Sequence, residues 1–107
     1  MDLKLKGRRA LISGSTAGIG LAIAASLARE GARVIINGRK QAGVTMAVVK
    51  VQSETGGDVT GFAGDLSAAA TADQLVRMHP DIEILVNNLG IFGPKVRRTA
   101  EKGMQLQ

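Results

Sequence analysis

The sequence predicts an α/β protein built on a parallel sheet of about four strands in spatial order 3-2-1-4. Three observations predict it. Four short apolar runs alternate with three segments whose apolar residues recur at helical spacing. Hydrophobic residues make up 45% of the chain, yet there are two Phe and no Tyr or Trp, so the core must be made of Ala, Val, Ile and Leu. That composition suits a sheet buried on both faces by helices. Finally, Gly14, Gly18 and Gly20 cluster where the first strand gives way to the first helix.

Residues 9–13 read as the first strand, and residues 18–30 as a helix whose Ile19, Ile23 and Leu27 recur every fourth residue as an apolar stripe. Gly31 ends it as a left-handed cap. Residues 33–37 form the second strand. Residues 40–55 form a second helix with Val44, Ala47, Val48 and Val51 inward; Gly43 and the β-branched residues lower its propensity, so packing must hold it. Gly56 and Gly57 stop it, and residues 58–63 make a short third strand. A third helix runs from about Ser67, a suitable N-cap, to Met78, with Pro80 after its end. Residues 83–87 make the last strand.

Strands alternating with helices imply right-handed crossovers. Reversing direction after the third strand opens a crevice between the first and fourth strands at their carboxyl ends, and the glycine loop lies at that crevice. The same handedness puts two helices on one face and leaves only the third on the other. That second face is expected to be underfilled, and the fourth strand, with Ile84, Leu85 and Val86, to be an open edge. Self-association through either surface is the expectation.

The 107 residues suffice for one small domain. Residues 1–94 carry the whole βα pattern; residues 95–107 are a polar, basic tail without an apolar helical pattern. The formal charge of +5 sits mostly at the two ends, in Lys4, Lys6, Arg8 and Arg9 and in Lys95, Arg97, Arg98 and Lys102. Solvated basic ends are the reading, with a phosphate-backbone surface as the alternative; no stacking aromatics or groove-reading element supports nucleic acid as a partner. The chain has no cysteine, which excludes disulfides and thiolate chemistry. No segment approaches the roughly 20 apolar residues of a membrane span, so a cytoplasmic location and no membrane partner are expected.

The chemistry begins at Ser13-Gly14-Ser15-Thr16-Ala17-Gly18-Ile19-Gly20. At a strand-to-helix turn the first helical amides lack intrahelical partners, and the helix dipole adds partial positive charge, so a pyrophosphate can lie there. Gly14 takes the tight turn, Gly18 lets a ligand approach the backbone, and Gly20 lets the helix lie close. The alternative is a glycine-rich connection only. After the second strand comes Asn37-Gly38-Arg39, with no carboxylate to repel a 2′-phosphate and a guanidinium able to grip it, which points to NADP(H) rather than NAD(H). The alternative there is an ordinary solvated turn. Asp65-Leu66 and Asn87-Asn88-Leu89-Gly90 follow the third and fourth strands, where a cofactor's adenine and ribose would pass.

The motifs S-G-x3-G-I-G, N-G-R, D-L and N-N-L-G, in this order and at these separations, resemble the amino-terminal half of the short-chain dehydrogenase/reductase family over roughly residues 3–95. The resemblance implies a partial Rossmann-like three-layer unit and a nicotinamide dinucleotide as ligand. It implies that Gly14, Ser15, Thr16, Gly18, Ile19 and Gly20 line the pyrophosphate and that Arg39 meets the 2′-phosphate. Asp65 and Leu66 would bound the adenine, with Asn87 and Gly90 supporting the ribose and central strand. Ser13 and Leu89 depart from the usual Thr and Ala. The larger departure concerns the family's catalytic Ser and Tyr-x-x-x-Lys: the chain contains no Tyr, so no catalytic residue is carried over. Residues 95–107 resemble nothing in the family, and are read as disordered or foreign to it. His79, the only histidine, has no His or Cys partner, so neither catalysis nor metal binding is assigned to it. The reading is the NADP(H)-binding portion of a short-chain oxidoreductase, inactive by itself; the alternative is a non-catalytic nucleotide-binding or assembly module.

Overall fold

Four strands alternate with three helices, and a two-residue fifth strand follows. They are β1 (Arg9–Ile12), α1 (Gly18–Arg29), β2 (Arg33–Gly38), α2 (Gln41–Thr55), β3 (Val59–Ala63), α3 (Ala69–Met78), β4 (Ile82–Val86) and β5 (Gln105–Leu106). The computed structural model describes residues 4–88 and 105–106. The sheet order is β3-β2-β1-β4-β5, and every pairing is parallel. The predicted order 3-2-1-4 therefore stands, with one strand more than expected.

That extra strand corrects two expectations. Gln105 and Leu106 pair with Leu85 and Val86, so the end of the segment read as disordered or foreign to the family joins the sheet. The outer edge of β4 is consequently not fully open: its carboxyl-terminal residues already have a neighbour. The rest of residues 95–107 lies outside the described residues.

The two faces of the sheet divide the apolar residues by their period of two. Ala10, Ile12, Val34, Ile36, Ile84 and Val86 pack with Ala24, Ala25, Leu27 and Ala28 of α1 and with Ala47 and Val51 of α2. Leu11, Ile35 and Phe62 face the other way and meet Leu75, the one buried residue of α3, with Leu66, Ile82 and Leu85 at the margin. Ile12, Val34, Ile35 and Ile36 are fully buried, each contributing about 1.5–3 kcal/mol.

α1 presents a different face from the one its large residues suggest. Ile19 is 75% exposed and Ile23 only packs at the core margin, while Gly20, Ala24, Ala25, Leu27 and Ala28 are buried. Small residues let the helix backbone approach the sheet, so the alanine face wins over the isoleucine stripe. The helix ends as expected: Gly31 has φ +91°, its N–H donates to Ala28 O at 3.0 Å, and Ala32 N–H donates to Leu27 O at 3.1 Å. This is the Schellman pattern. α2 ends on Gly56 at φ +67°.

α3 begins two residues after the expected Ser67. Asp65 Oδ1 accepts from both the Ser67 N–H, at 2.9 Å, and the Ser67 hydroxyl, at 2.6 Å. The carboxylate two residues upstream captures the serine in an Asx turn, so Ala68 stands at the N-cap position with no side-chain bond.

Candidate functional site

The carboxyl ends of β1, β2 and β3 are tied together through one buried side chain, Asn37. Its Oδ1 accepts from the Gly14 N–H at 3.2 Å, and its Nδ2 donates to Phe62 O and Gly64 O, each at 3.1 Å. Its backbone is paired as well: Asn37 N–H donates to Ser15 Oγ at 2.9 Å, and Ser15 N–H donates to Asn37 O at 2.8 Å. Ser15 Oγ in turn donates to Ile12 O at 2.7 Å. Ser15 is wholly buried, with its amide and hydroxyl both engaged inside the chain. In this structure it anchors the loop to the end of β2. Asn37 was expected at the end of the second strand and in the turn after it, with no bonding role; the signal that could have found that role is an amide ending an otherwise apolar buried strand, where its polar groups must find partners.

The loop reverses at Gly14, φ +57°, and enters α1 at Gly18, φ +62°. A Cβ on Gly18 would meet nothing within 4 Å, so the glycine leaves open space above the helix N-terminus. Gly20 is different: a Cβ there would lie 2.6 Å from Gly14 O and 2.6 Å from Asn88 Nδ2. Asn88 explains this crowding, since its Nδ2 donates to Gly14 O at 3.0 Å and its N–H donates to Ser13 Oγ at 3.0 Å. Gly20 therefore accommodates the loop and the segment after β4, a contact tighter than the helix-to-sheet approach expected of it. No side chain caps α1 and its first turn holds no acid. Among the described residues the N–H groups of Gly18, Ile19 and Gly20 have no acceptor.

On the α2 side of the loop, Thr16, Arg39, Lys40, Ala42 and Gly43 line a cavity of about 340 Å³. Arg39 is exposed and forms no ion pair or hydrogen bond to a described residue. Its charge still reaches Asp65, which lies beyond β3. The Ser67 hydroxyl and amide hold the Asp65 carboxyl below its ordinary range against the opposing effect of burial, with the Arg39 charge as the smallest contribution. Leu66 is half-buried at the margin of the α3 core.

Asn87 follows β4; its Oδ1 accepts weakly from Ser13 Oγ at 3.5 Å, and its Nδ2 is buried without a hydrogen-bond partner. Gly90 and Leu89 lie outside the described residues. His79 caps α3, with its N–H on Leu75 O at 2.9 Å, at the amino-terminal end of β4 and opposite to the loop. Among the described residues no three His, Cys, Asp or Glu side chains converge as a metal site, and no helix is long and apolar enough to cross a membrane.

The sequence model of the short chain dehydrogenase family matches residues 8–105. The chain belongs to that family. As a short chain dehydrogenase it is 46% identical over 95 residues to the uncharacterized oxidoreductase YvaG of Bacillus subtilis (strain 168), an alignment covering 88% of this chain and 36% of that protein. It is 41% identical over 91 residues to human dehydrogenase/reductase SDR family member 4, covering 81% of this chain and 32% of the relative. Among solved structures, L-sorbose reductase from Gluconobacter frateurii complexed with NADPH and L-sorbose superposes with TM-score 0.76 at 35% identity, over 84% of this chain and 36% of that one. The Pseudomonas aeruginosa RhlG/NADP complex superposes with TM-score 0.70 at 36% identity, over 78% of this chain and 35% of that one. This short chain dehydrogenase sequence thus spans about a third of the length of such relatives. The family match runs to residue 105, beyond residue 94 where the apolar pattern stops.

Proposed function

We propose that this chain is the NADP(H)-binding portion of a cytoplasmic short chain dehydrogenase, with residues 1–94 as the dinucleotide-binding unit. The observation that carries the reading is the cavity beside Arg39: two cations, Arg39 and Lys40, line it, and no carboxylate does. A guanidinium without an ion partner among the described residues is suited to a phosphate monoester. The NADPH and NADP named for two structural relatives support the same choice.

The residues fit the rest of such a ligand. Three helix amides without acceptors among the described residues, beside a glycine that leaves open space, suit a pyrophosphate at the start of α1. Gly14, Thr16, Gly18, Ile19 and Gly20 would border it, while Ser15 would hold the loop in place from within. Asp65 and Leu66 would bound the adenine, and Asn87 and Gly90 the ribose. When bound, the nicotinamide supplies or accepts hydride. This chain's own part is to bind and orient the dinucleotide. The family's proton-donating Tyr has no counterpart here, since the chain contains no tyrosine.

A second reading, an assembly module, is favoured by the thin α3 face. α3 buries only Leu75, while its Val76 and Met78 are each 56% exposed. Calorimetric titration with NADP⁺ and NAD⁺ tests the main reading: saturable binding with NADP⁺ preferred supports it, and no binding of either would leave the assembly reading in its place.

A further inference from the structure

Gly38 ends β2 with a φ outside the left-handed region, so nothing in its own backbone demands glycine. Its surroundings do. A Cβ on Gly38 would lie 2.5 Å from Thr16 Cγ2 and 3.3 Å from Val44 Cγ2. A carbon–carbon approach of 2.5 Å is well inside van der Waals contact, so any side chain at position 38 must displace the Thr16 methyl. The same methyl lies 4.0 Å from where a Cβ on Gly43 would stand, an ordinary contact. Thr16 thus fills the space between the end of β2 and the start of α2, and with Gly43 it forms part of the wall of the Arg39 cavity.

An acidic side chain at the end of the second strand is the usual device for holding the two hydroxyls of an unphosphorylated ribose. We infer that Thr16 is a specificity-determining residue: its methyl group bars side chains from position 38 and so keeps the cavity around Arg39 free of a carboxylate. Selection then has two parts. Arg39 attracts the 2′-phosphate, and Thr16 excludes the group that would repel it. This inference rests on the NADP(H) reading of the same site.

The test is a double-mutant cycle of Gly38→Ala and Thr16→Ser, read by NADP⁺ titration and by thermal unfolding without ligand. Serine keeps the hydroxyl and deletes only the obstructing methyl. Gly38→Ala is expected to weaken NADP⁺ binding by about tenfold or more and to lower the melting temperature. Adding Thr16→Ser should restore both toward the wild-type values. Gly38→Asp should likewise bind NAD⁺ about tenfold more tightly in the Thr16→Ser background than beside Thr16. Wild-type behaviour of Gly38→Ala, or a defect that Thr16→Ser leaves unchanged, would overturn the inference. Equal wild-type affinities for NADP⁺ and NAD⁺ would overturn the cofactor reading and the specificity role together, while the melting temperatures would still report on the contact itself.

Discussion

Asn37 and Ser15 hold each other across the junction of β2 and the glycine loop: Ser15 N–H donates to Asn37 O at 2.8 Å, and Asn37 N–H donates to Ser15 Oγ at 2.9 Å. Both residues are essentially removed from solvent. The pair fixes the loop to the sheet, and with it the start of α1. Preorganisation of this kind lowers the ordering cost of binding.

The Asn37 side chain adds three further ties, and its removal is the first prediction. Asn37→Ala should lower stability by roughly 1–3 kcal/mol by leaving buried groups without partners. Asn37→Asp should be worse, because a carboxylate oxygen would face Phe62 O and Gly64 O where an amide now donates to both. Urea denaturation of both variants measures the order; an aspartate variant as stable as wild type would contradict this account of the hub.

Arg39 decides the second prediction. Arg39→Asp should weaken NADP⁺ by about tenfold to a hundredfold, the value of a lost charge-assisted bond of roughly 1.5–3 kcal/mol. NAD⁺ should be less affected, so the preference narrows or reverses. Calorimetry with both dinucleotides reads it, and unchanged NADP⁺ affinity would mean that Arg39 is only a solvated turn residue.

The opposite end of the sheet carries the third. Asp81 bridges Arg33 at 2.8 Å and Arg9 at 3.5 Å, and Arg8 pairs with Glu83 at 2.7 Å. Burial raises the Asp81 pKa, but its own backbone amide and the two arginines outweigh this and leave it below its ordinary 3.8. A carboxylate depressed in the folded state stabilises fully above its unfolded value, and that stability is lost as pH falls through the lower folded value. Thermal unfolding should therefore show an acid destabilisation beginning below about pH 4 that is smaller in Asp81→Asn. Identical acid profiles for the two proteins would remove Asp81 from the explanation.

The 107-residue chain should bind NADPH without turning over carbonyl substrates. Carbonyl reduction needs a proton donor within about 3 Å of the developing alkoxide, and these 107 residues contain no tyrosine. NADPH absorbance followed with ketones, aldehydes and quinones should stay level. Turnover that copurifies with the protein and vanishes on Gly18→Asp would reveal a donor elsewhere in the chain.

Self-association is the fifth expectation, now through the α3 face, since Gln105 and Leu106 occupy part of the β4 edge. Light scattering should give a mass above 11.1 kDa, and Val76→Lys should lower it. A monomer at every micromolar concentration would count against this.

Element order, the parallel sheet and the positions of the glycine turns were legible in the sequence because each rests on local chemistry: period, β-branching, left-handed caps. The strand order also followed, since crossover handedness leaves few alternatives. Contacts between residues distant in the chain were decided by tertiary structure alone. Ile19 looked like core and is exposed, because the alanines of α1 allow a closer approach to the sheet than isoleucine would. Ser67 looked like a cap and was captured by Asp65. The anchoring of Ser15 was decided by Asn37, 22 residues away, which meets its hydroxyl and its amide. Thr16 and Gly38 read as members of two separate cofactor motifs, and only their juxtaposition shows that a Cβ on Gly38 would meet the Thr16 methyl. Periodicity reports which face a residue takes; which atoms fill the same space depends on how separate elements pack, and no local pattern carries that.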